Sequence, residues 1–310
     1  MKKLRVGLAL GGGGARGLAH IGVMEVLEET GIPVDMVAGT SIGALVGGVY
    51  LLEGQSAKLR SRMLEFLESE TFKQARLDVL RERKEGESAG LLGSMALTLR
   101  RGWMYSYSVT RQSIIPREAF FKINNHLFGD KRIEELPLPF AAVSLDTNTA
   151  TEFIWIKGSL RDAIMASSAI PGFFPPLEMD GRLLVDGGWI HSVPIRPARS
   201  LGADIVIAVD TSRERDATFE YKRGIDLILR TAFIMMKQLR ELQLEEADIV
   251  IQPEVAEVHW ADFHNPEAVV QKGRDAAISA LSEIRSLIRR RRTKNIFIPF
   301  RRGHGIRKYF

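Results

Sequence analysis

Ser41 sits in the frame Gly39-Thr40-Ser41-Ile42-Gly43, between a short apolar run and a helix-like one. Gly-x-Ser-x-Gly at such a junction is the spacing of a nucleophile elbow. The reason is steric. A serine at the tip of a tight strand-to-helix turn has a strained backbone, and flanking glycines let the two arms approach. The hydroxyl then projects from the sheet, beside the unpaired N–H groups of the first helical turn. Those donors and the positive helix end favour a developing oxyanion. The predicted chemistry is attack of the Ser41 hydroxyl on an acyl carbonyl. A plain serine turn carries the same five residues, so the rest of the chain has to decide.

Such a serine needs a proton acceptor. Asp186-Gly187-Gly188 ends a strand-like run, and strand ends in a parallel sheet share one edge, where ligands bind. A Ser41–Asp186 dyad is one option. An aspartate is a weak base near neutral pH, and burial would raise its pKa. His191 lies near Asp186 in sequence and is the candidate base of a triad. His20, on the first helix, reads equally as a packing or surface residue.

The loop Gly11-Gly12-Gly13-Gly14-Ala15-Arg16-Gly17 has two readings. Gly12-x-Gly14-x-x-Gly17 matches a dinucleotide fingerprint, with Asp35 about 20 residues on. Against it, Asp35 begins the second strand instead of ending it, and that strand runs straight into Ser41. In the other reading, Gly12, Gly13 and Gly14 aim backbone N–H groups at an oxyanion. Arg16 then adds positive charge or a structural hydrogen bond.

The elements that must position these residues alternate. Residues 4–10 read as a buried strand, 16–30 as a helix, and 34–38 as a second strand leading into the elbow. This is a right-handed βαβ unit. Strands are predicted at 140–145, 152–156, 182–185, 204–209 and 247–251, and helices at 160–166, 224–245 and 266–292. Gly43, Gly47 and Gly48 suggest that the helix after Ser41 packs closely on the sheet. The fold class is α/β around a mostly parallel sheet, with residues 1–288 as one domain and 289–310 as a tail. Residues 56–111 form a helical excursion, and its basic-aromatic part at 97–105, around Trp103, suits a lid or a membrane boundary.

Composition bounds the rest. The 310 residues include no cysteine, which excludes disulfides, thiolate metal sites and a cysteine nucleophile. No apolar run approaches the ~20 residues of a membrane span. The start, Met1-Lys2-Lys3, imitates a signal peptide, but Arg5 and the glycine run interrupt it, and a cytoplasmic protein is expected. Ten of the 43 Lys and Arg lie from Arg285 onward with no acid among them, leaving 33 basic against 38 acidic residues elsewhere. The net +5 is therefore a property of the tail, whose Ile296, Phe297, Ile298, Phe300, Tyr309 and Phe310 interleave with the basic residues. An anionic membrane surface is the expected partner of that tail; no nucleic-acid recognition module is present.

Four motifs in one order resemble the patatin-like phospholipase family, over roughly two thirds of the chain. They are Gly12-Gly13-Gly14-Ala15-Arg16-Gly17-Leu18-Ala19-His20-Ile21-Gly22-Val23, Gly39-Thr40-Ser41-Ile42-Gly43, Ala166-Ser167-Ser168-Ala169-Ile170-Pro171-Gly172-Phe173-Phe174-Pro175-Pro176 and Asp186-Gly187-Gly188. The resemblance implies a three-layer αβα sandwich and a lipid acyl hydrolase without metal or cofactor. It implies Ser41 as nucleophile, Asp186 as base, and Gly12, Gly13, Gly14 and Arg16 as the oxyanion loop. Phe173 and Phe174 would line an acyl pocket. One stretch departs from the family pattern: an Asn-x-Pro segment is replaced by His191-Ser192-Val193-Pro194. That puts in question any supporting hydrogen bonds from these positions. A general carboxylesterase or thioesterase, or a membrane-associated scaffold with little turnover, are the competing functions.

Overall fold

The computed structural model describes residues 3–75, 77, 113–212 and 224–297. The lid candidate at 97–105 and the end of the tail lie outside the described residues. The chain opens with β1 (Val6–Leu10), a 3-10 turn (Gly14–Leu18), α1 (Ala19–Glu29), β2 (Met36–Thr40) and α2 (Ile42–Glu53). Then come α3 (Ser56–Glu68), α4 (Glu70–Gln74), α5 (Arg117–Phe128), β3 (Phe140–Asp146), β4 (Thr151–Trp155) and α6 (Leu160–Ser167). The hairpin β5 (Leu177–Met179) and β6 (Arg182–Asp186) follows, then α7 (Ile195–Ser200) and β7 (Ile205–Val209). The described chain closes with α8 (Gly224–Leu244), β8 (Ile249–Ile251) and α9 (Pro266–Phe297). Helices α5 and α7 and strand β5 were not anticipated from the sequence. The closing helix, predicted over 266–292, includes the arginine block at 289–292 and runs on to Phe297.

The sheet runs β5-β6-β3-β2-β1-β7-β8, with β4 on the other side of β3. Strands β1, β2, β3, β7 and β8 are parallel. Strands β1, β2 and β7 are buried along their whole length, as expected of parallel strands covered on both faces. Their two faces differ in side-chain size. Leu8, Leu10, Val37, Phe140 and Ile207 point into the larger core, under α1, α2, α3 and α9. Ala9, Ala38, Ala141 and Ala208 face the other way and meet Ile195 and Ala198 of α7. Small residues let this one short helix sit close on the sheet, so the sandwich has a thick layer and a thin one.

The decisive feature is at β3. Its residues 140–143 pair with β2, ending at Thr40 opposite Val143. Its residues 144–146 pair with β6, which is antiparallel and ends at Asp186 opposite Ser144. Along those same positions β4 occupies the other side, from Ala142 to Asp146. Strand β6 therefore takes the lane that β2 vacates. The two carboxyl ends meet head-on along β3, with Ser41 and Asp186 at the junction. The expectation that a shared parallel edge would join them is corrected here: an antiparallel strand delivers Asp186. The turn that reverses the chain is Asp180-Gly181, with φ of 50° and 74°, the left-handed geometry of a tight hairpin turn.

Tight packing holds the elbow in this position. A Cβ on Gly43 would lie 2.2 Å from the Leu10 carbonyl oxygen, which is backbone and has little freedom to yield. Gly47 rests on Val37 of the sheet, whereas Gly48 faces Ile164 of α6. Gly43→Ala should destabilise the protein by about 2 kcal/mol or more, within the range of core overpacking. Urea unfolding of the variant beside the wild type measures this; Gly54→Ala, with open space around it but a positive φ, separates a backbone effect from the clash.

Candidate active site

Ser41 occupies the turn between β2 and α2 with φ 55° and ψ −124°, a strained conformation for a residue with a side chain. That is the elbow predicted from Gly39-x-Ser41-x-Gly43. Its carbonyl accepts from Ala44 and Leu45 N–H, at 2.9 and 3.1 Å, starting the helix. Its own N–H donates to Ser167 Oγ at 2.9 Å. Only 8% of Ser41 is exposed.

Asp186 is also buried, and its carboxylate accepts from the Ser41 hydroxyl and from Gly188 N–H, the latter at 2.7 Å. Burial pushes the Asp186 carboxyl up to about 6, and these two hydrogen bonds pull it only part of the way back. Asp186 N–H donates to Ala169 O at 3.0 Å. The segment that ends α6 thus grips both partners, one through Ser167 and one through Ala169. Gly187 lies flat on β3: a Cβ there would come within 2.3 Å of Val143 O.

The glycine loop lies beside the pair, and a Cβ on Gly12 would be 3.6 Å from Ser41 Cβ. Its donors divide. Gly11 N–H is bonded to Val209 O, Gly12 N–H to Ser192 O, and Ala15 N–H to Trp260 O. Gly13 and Gly14 N–H have no protein acceptor among the described residues. Gly12, expected as an oxyanion donor, is therefore a structural residue, and the free donors are its two successors. Gly13 and Gly14 adopt φ of 149° and 58°, and a Cβ on Gly14 would strike Trp260 O at 2.1 Å. Arg16 takes the structural one of its two expected roles: buried, it donates from Nε to Val258 O at 2.8 Å.

The histidines separate cleanly. His20 is fully buried and donates from Nε2 to Gly11 O at 2.8 Å, so it props the glycine loop. Burial holds its imidazole down at about 4 and therefore neutral. His191 is engaged at both ring nitrogens, Nε2 with Glu152 at 2.5 Å and Nδ1 with Gln243 at 3.1 Å. Neither nitrogen is bonded to Ser41 or Asp186. Its backbone matters instead: His191 O accepts from Thr40 Oγ1 at 2.8 Å, next to the elbow. With Ser192 O on Gly12, the segment that departs from the family pattern still supplies support, through carbonyls.

Asp35, the acid of the dinucleotide reading, binds Val6 N–H at 2.9 Å and Lys3 Nζ at 2.7 Å. It staples the start of two strands, and the dinucleotide reading is set aside. Phe173 and Phe174 lie in an apolar cluster with Ile115, Phe120, Met165 and Ala261. Phe174 packs on Phe120 at 4.6 Å and Phe173 edge-on to Trp260 at 5.2 Å. Trp260 joins this cluster to the glycine loop through its carbonyl. The sequence does not single out Ser167, Thr40 or Trp260; Thr40 and Ser167 lie within the elbow and proline-loop motifs, and Trp260 has no local signal.

The raised Asp186 carboxyl has a consequence for stability. The folded state binds this proton more tightly than the unfolded chain, so wild-type stability falls as pH rises from about 4 to about 6. Asp186→Asn keeps an acceptor for Gly188 N–H and removes the buried charge. The variant should be more stable than wild type at pH 8, by on the order of 2–3 kcal/mol, and not at pH 4. Urea unfolding at the two pH values checks this.

Comparison with known proteins agrees with the motifs. The profile described as patatin-like phospholipase matches residues 8–199, more than half of the chain. Patatin-like phospholipase domain-containing protein 6 of Mus musculus is 37% identical over 211 residues, covering 67% of this chain and 14% of that protein. Lysophospholipase nte1 of Emericella nidulans is 33% identical over 215 residues, covering 69% of this chain and 12% of that one. The match thus spans only 12–14% of the length of these relatives. Among solved structures, VipD from Legionella pneumophila aligns with a TM-score of 0.45 and 14% identity, over 91% of this chain and 67% of that one. On the matched profile and the identity to these relatives, the chain belongs to the patatin-like phospholipase family.

Proposed function

We propose that this protein is a serine lipid acyl hydrolase that cleaves carboxylic esters of phospholipids or related lipids through a Ser41–Asp186 dyad. The observation that carries the reading is the buried, hydrogen-bonded pair at the β2–β6 junction, beside two unpartnered N–H groups. Relatives named phospholipase and lysophospholipase support a lipid ester as substrate.

Ser41 Oγ attacks the ester carbonyl carbon while Asp186 takes its proton. The carbonyl oxygen becomes the oxyanion, held by Gly13 and Gly14 N–H and by the first N–H groups of α2. Loss of one such donor typically costs ~10²–10³ in rate. The intermediate collapses, the carbon–alkoxide bond breaks, and the leaving alcohol takes the proton from Asp186. Water then attacks the acyl-Ser41 ester, giving its proton to Asp186. Collapse releases the fatty acid, and Asp186 returns the proton to Ser41. The apolar cluster at Phe173 and Phe174 would receive the acyl chain. Near neutral pH a carboxyl at about 6 is mostly ionised yet basic enough to share a proton with the serine.

Residues 289–292 are an exposed arginine block at the end of α9, with Arg291 paired to Asp248 at 2.9 Å. Together with the following sequence they are proposed to hold the enzyme at an anionic membrane surface, as a peripheral protein on the cytoplasmic side.

A fluorophosphonate adduct on intact protein should form on wild type and not on Ser41→Ala. Its rate should rise tenfold per pH unit below about 6 and level off above, following ionisation of Asp186. Absence of an adduct on folded wild type, with and without lipid vesicles, would favour a scaffold. Truncation after Thr293 should weaken binding to anionic vesicles in low salt and leave hydrolysis of a soluble ester unchanged. Co-sedimentation with vesicles at two salt concentrations reads the first effect.

A further inference from the structure

Helix α8 is apolar and faces water. Of its 21 residues only Arg240 and Gln243 are buried. Nine large apolar side chains between Ile225 and Leu242 are each at least 38% exposed. Five of them, Ile225, Ile228, Met235, Leu239 and Leu242, share one side and are about half exposed; they present on the order of 500 Å², so two copies paired on them would bury ~1,000 Å², the lower bound for a specific interface.

The pattern of that surface is specific. Ile225, Ile228, Ala232, Met235, Leu239 and Leu242 follow one another at spacings of three and four, the a/d repeat of a helix that packs along another helix. The flanking positions Leu229, Thr231, Met236 and Gln238 carry no charge. Nor does the ridge float. Arg240 reaches Ser212 Oγ at 3.1 Å, Gln243 donates to Ile190 O at 2.7 Å, and Phe233 stacks on Trp189. The helix is thus pre-positioned, which lowers the entropic cost of docking.

We propose that α8 is the interface of a homodimer, formed when the seam of one copy packs on the same seam of a second copy across a two-fold axis. A closed, isologous pairing covers both patches at once. A lipid surface fits less well. Beyond the buried Arg240, the helix has two acids, Asp226 and Glu241, against two bases, Arg230 and Lys237, so its polar face lacks the cationic excess of an interfacial helix. Among the described residues no helix is long and apolar enough to cross a membrane.

Sedimentation equilibrium of the 310-residue chain at micromolar concentration should give twice the chain mass. The double variant Ile228→Glu/Met235→Glu should give the single mass with an unchanged far-ultraviolet circular dichroism spectrum, since these side chains are 65% and 67% exposed. Because the chain has no cysteine, Met235→Cys introduces a lone thiol on the seam and Lys237→Cys one on the far side of the helix. A short bismaleimide should join copies of the first and not of the second. A monomeric wild type, a double variant that stays dimeric, or equal cross-linking of both cysteine variants would overturn the proposal. A monomer whose binding to phosphatidylcholine vesicles is lost in the double variant would assign the face to lipid instead.

Discussion

A carboxylate kept from water against a serine hydroxyl is the interaction on which this site depends. Asp186 has two donors that favour its charged form, yet burial outweighs them and keeps the carboxyl well above the usual aspartate range. An aspartate in open solvent would be too weak a base to assist a serine, and one buried with no donor would stay protonated. The surroundings tune it between these limits. Much of the local architecture serves that balance: the strained Ser41 backbone, the glycine that lets β6 lie against Val143, and the single N–H of Gly188.

The pair is held by main-chain groups more than by side chains. Ala169 O, His191 O and Ser192 O each accept one hydrogen bond from a residue in or beside the junction. Carbonyls serve this purpose whatever side chain they carry. That explains how residues 191–194 can depart from the family pattern and keep their supporting role. The His191 ring, for its part, joins Glu152 on the edge strand to Gln243 on α8.

The two faces of the sheet are used differently. Large side chains on one face carry several helices and most of the core, whereas alanines on the other admit a single short helix. Helix α8 leans only its C-terminal end on this thin side and leaves its apolar seam in water. Gln243 and Trp189 connect it to the residues that follow Asp186. A partner docked on α8 would therefore sit one contact away from the segment that follows Asp186.

Much of this was legible in the chain, where the determinants are local. Glycine spacing around Ser41 specified a strained elbow, and the apolar runs specified buried strands. Each depends on φ, ψ and near neighbours, which a few residues set by themselves. The pairing of Ser41 with Asp186 was anticipated, though through the wrong edge, because strand direction depends on a pairing partner about forty residues away. Two assignments depended wholly on tertiary structure. Whether Gly12, Gly13 or Gly14 has a free N–H is decided by where Ser192 and Trp260 place their carbonyls. Whether His191 or Asp186 faces the serine is decided by which of them Glu152 and Gln243 already hold. Sequence by itself determined which chemical groups this protein brings to a site; only the folded chain decided which of them are left unbonded, since hydrogen-bond partners are set by contacts between distant segments.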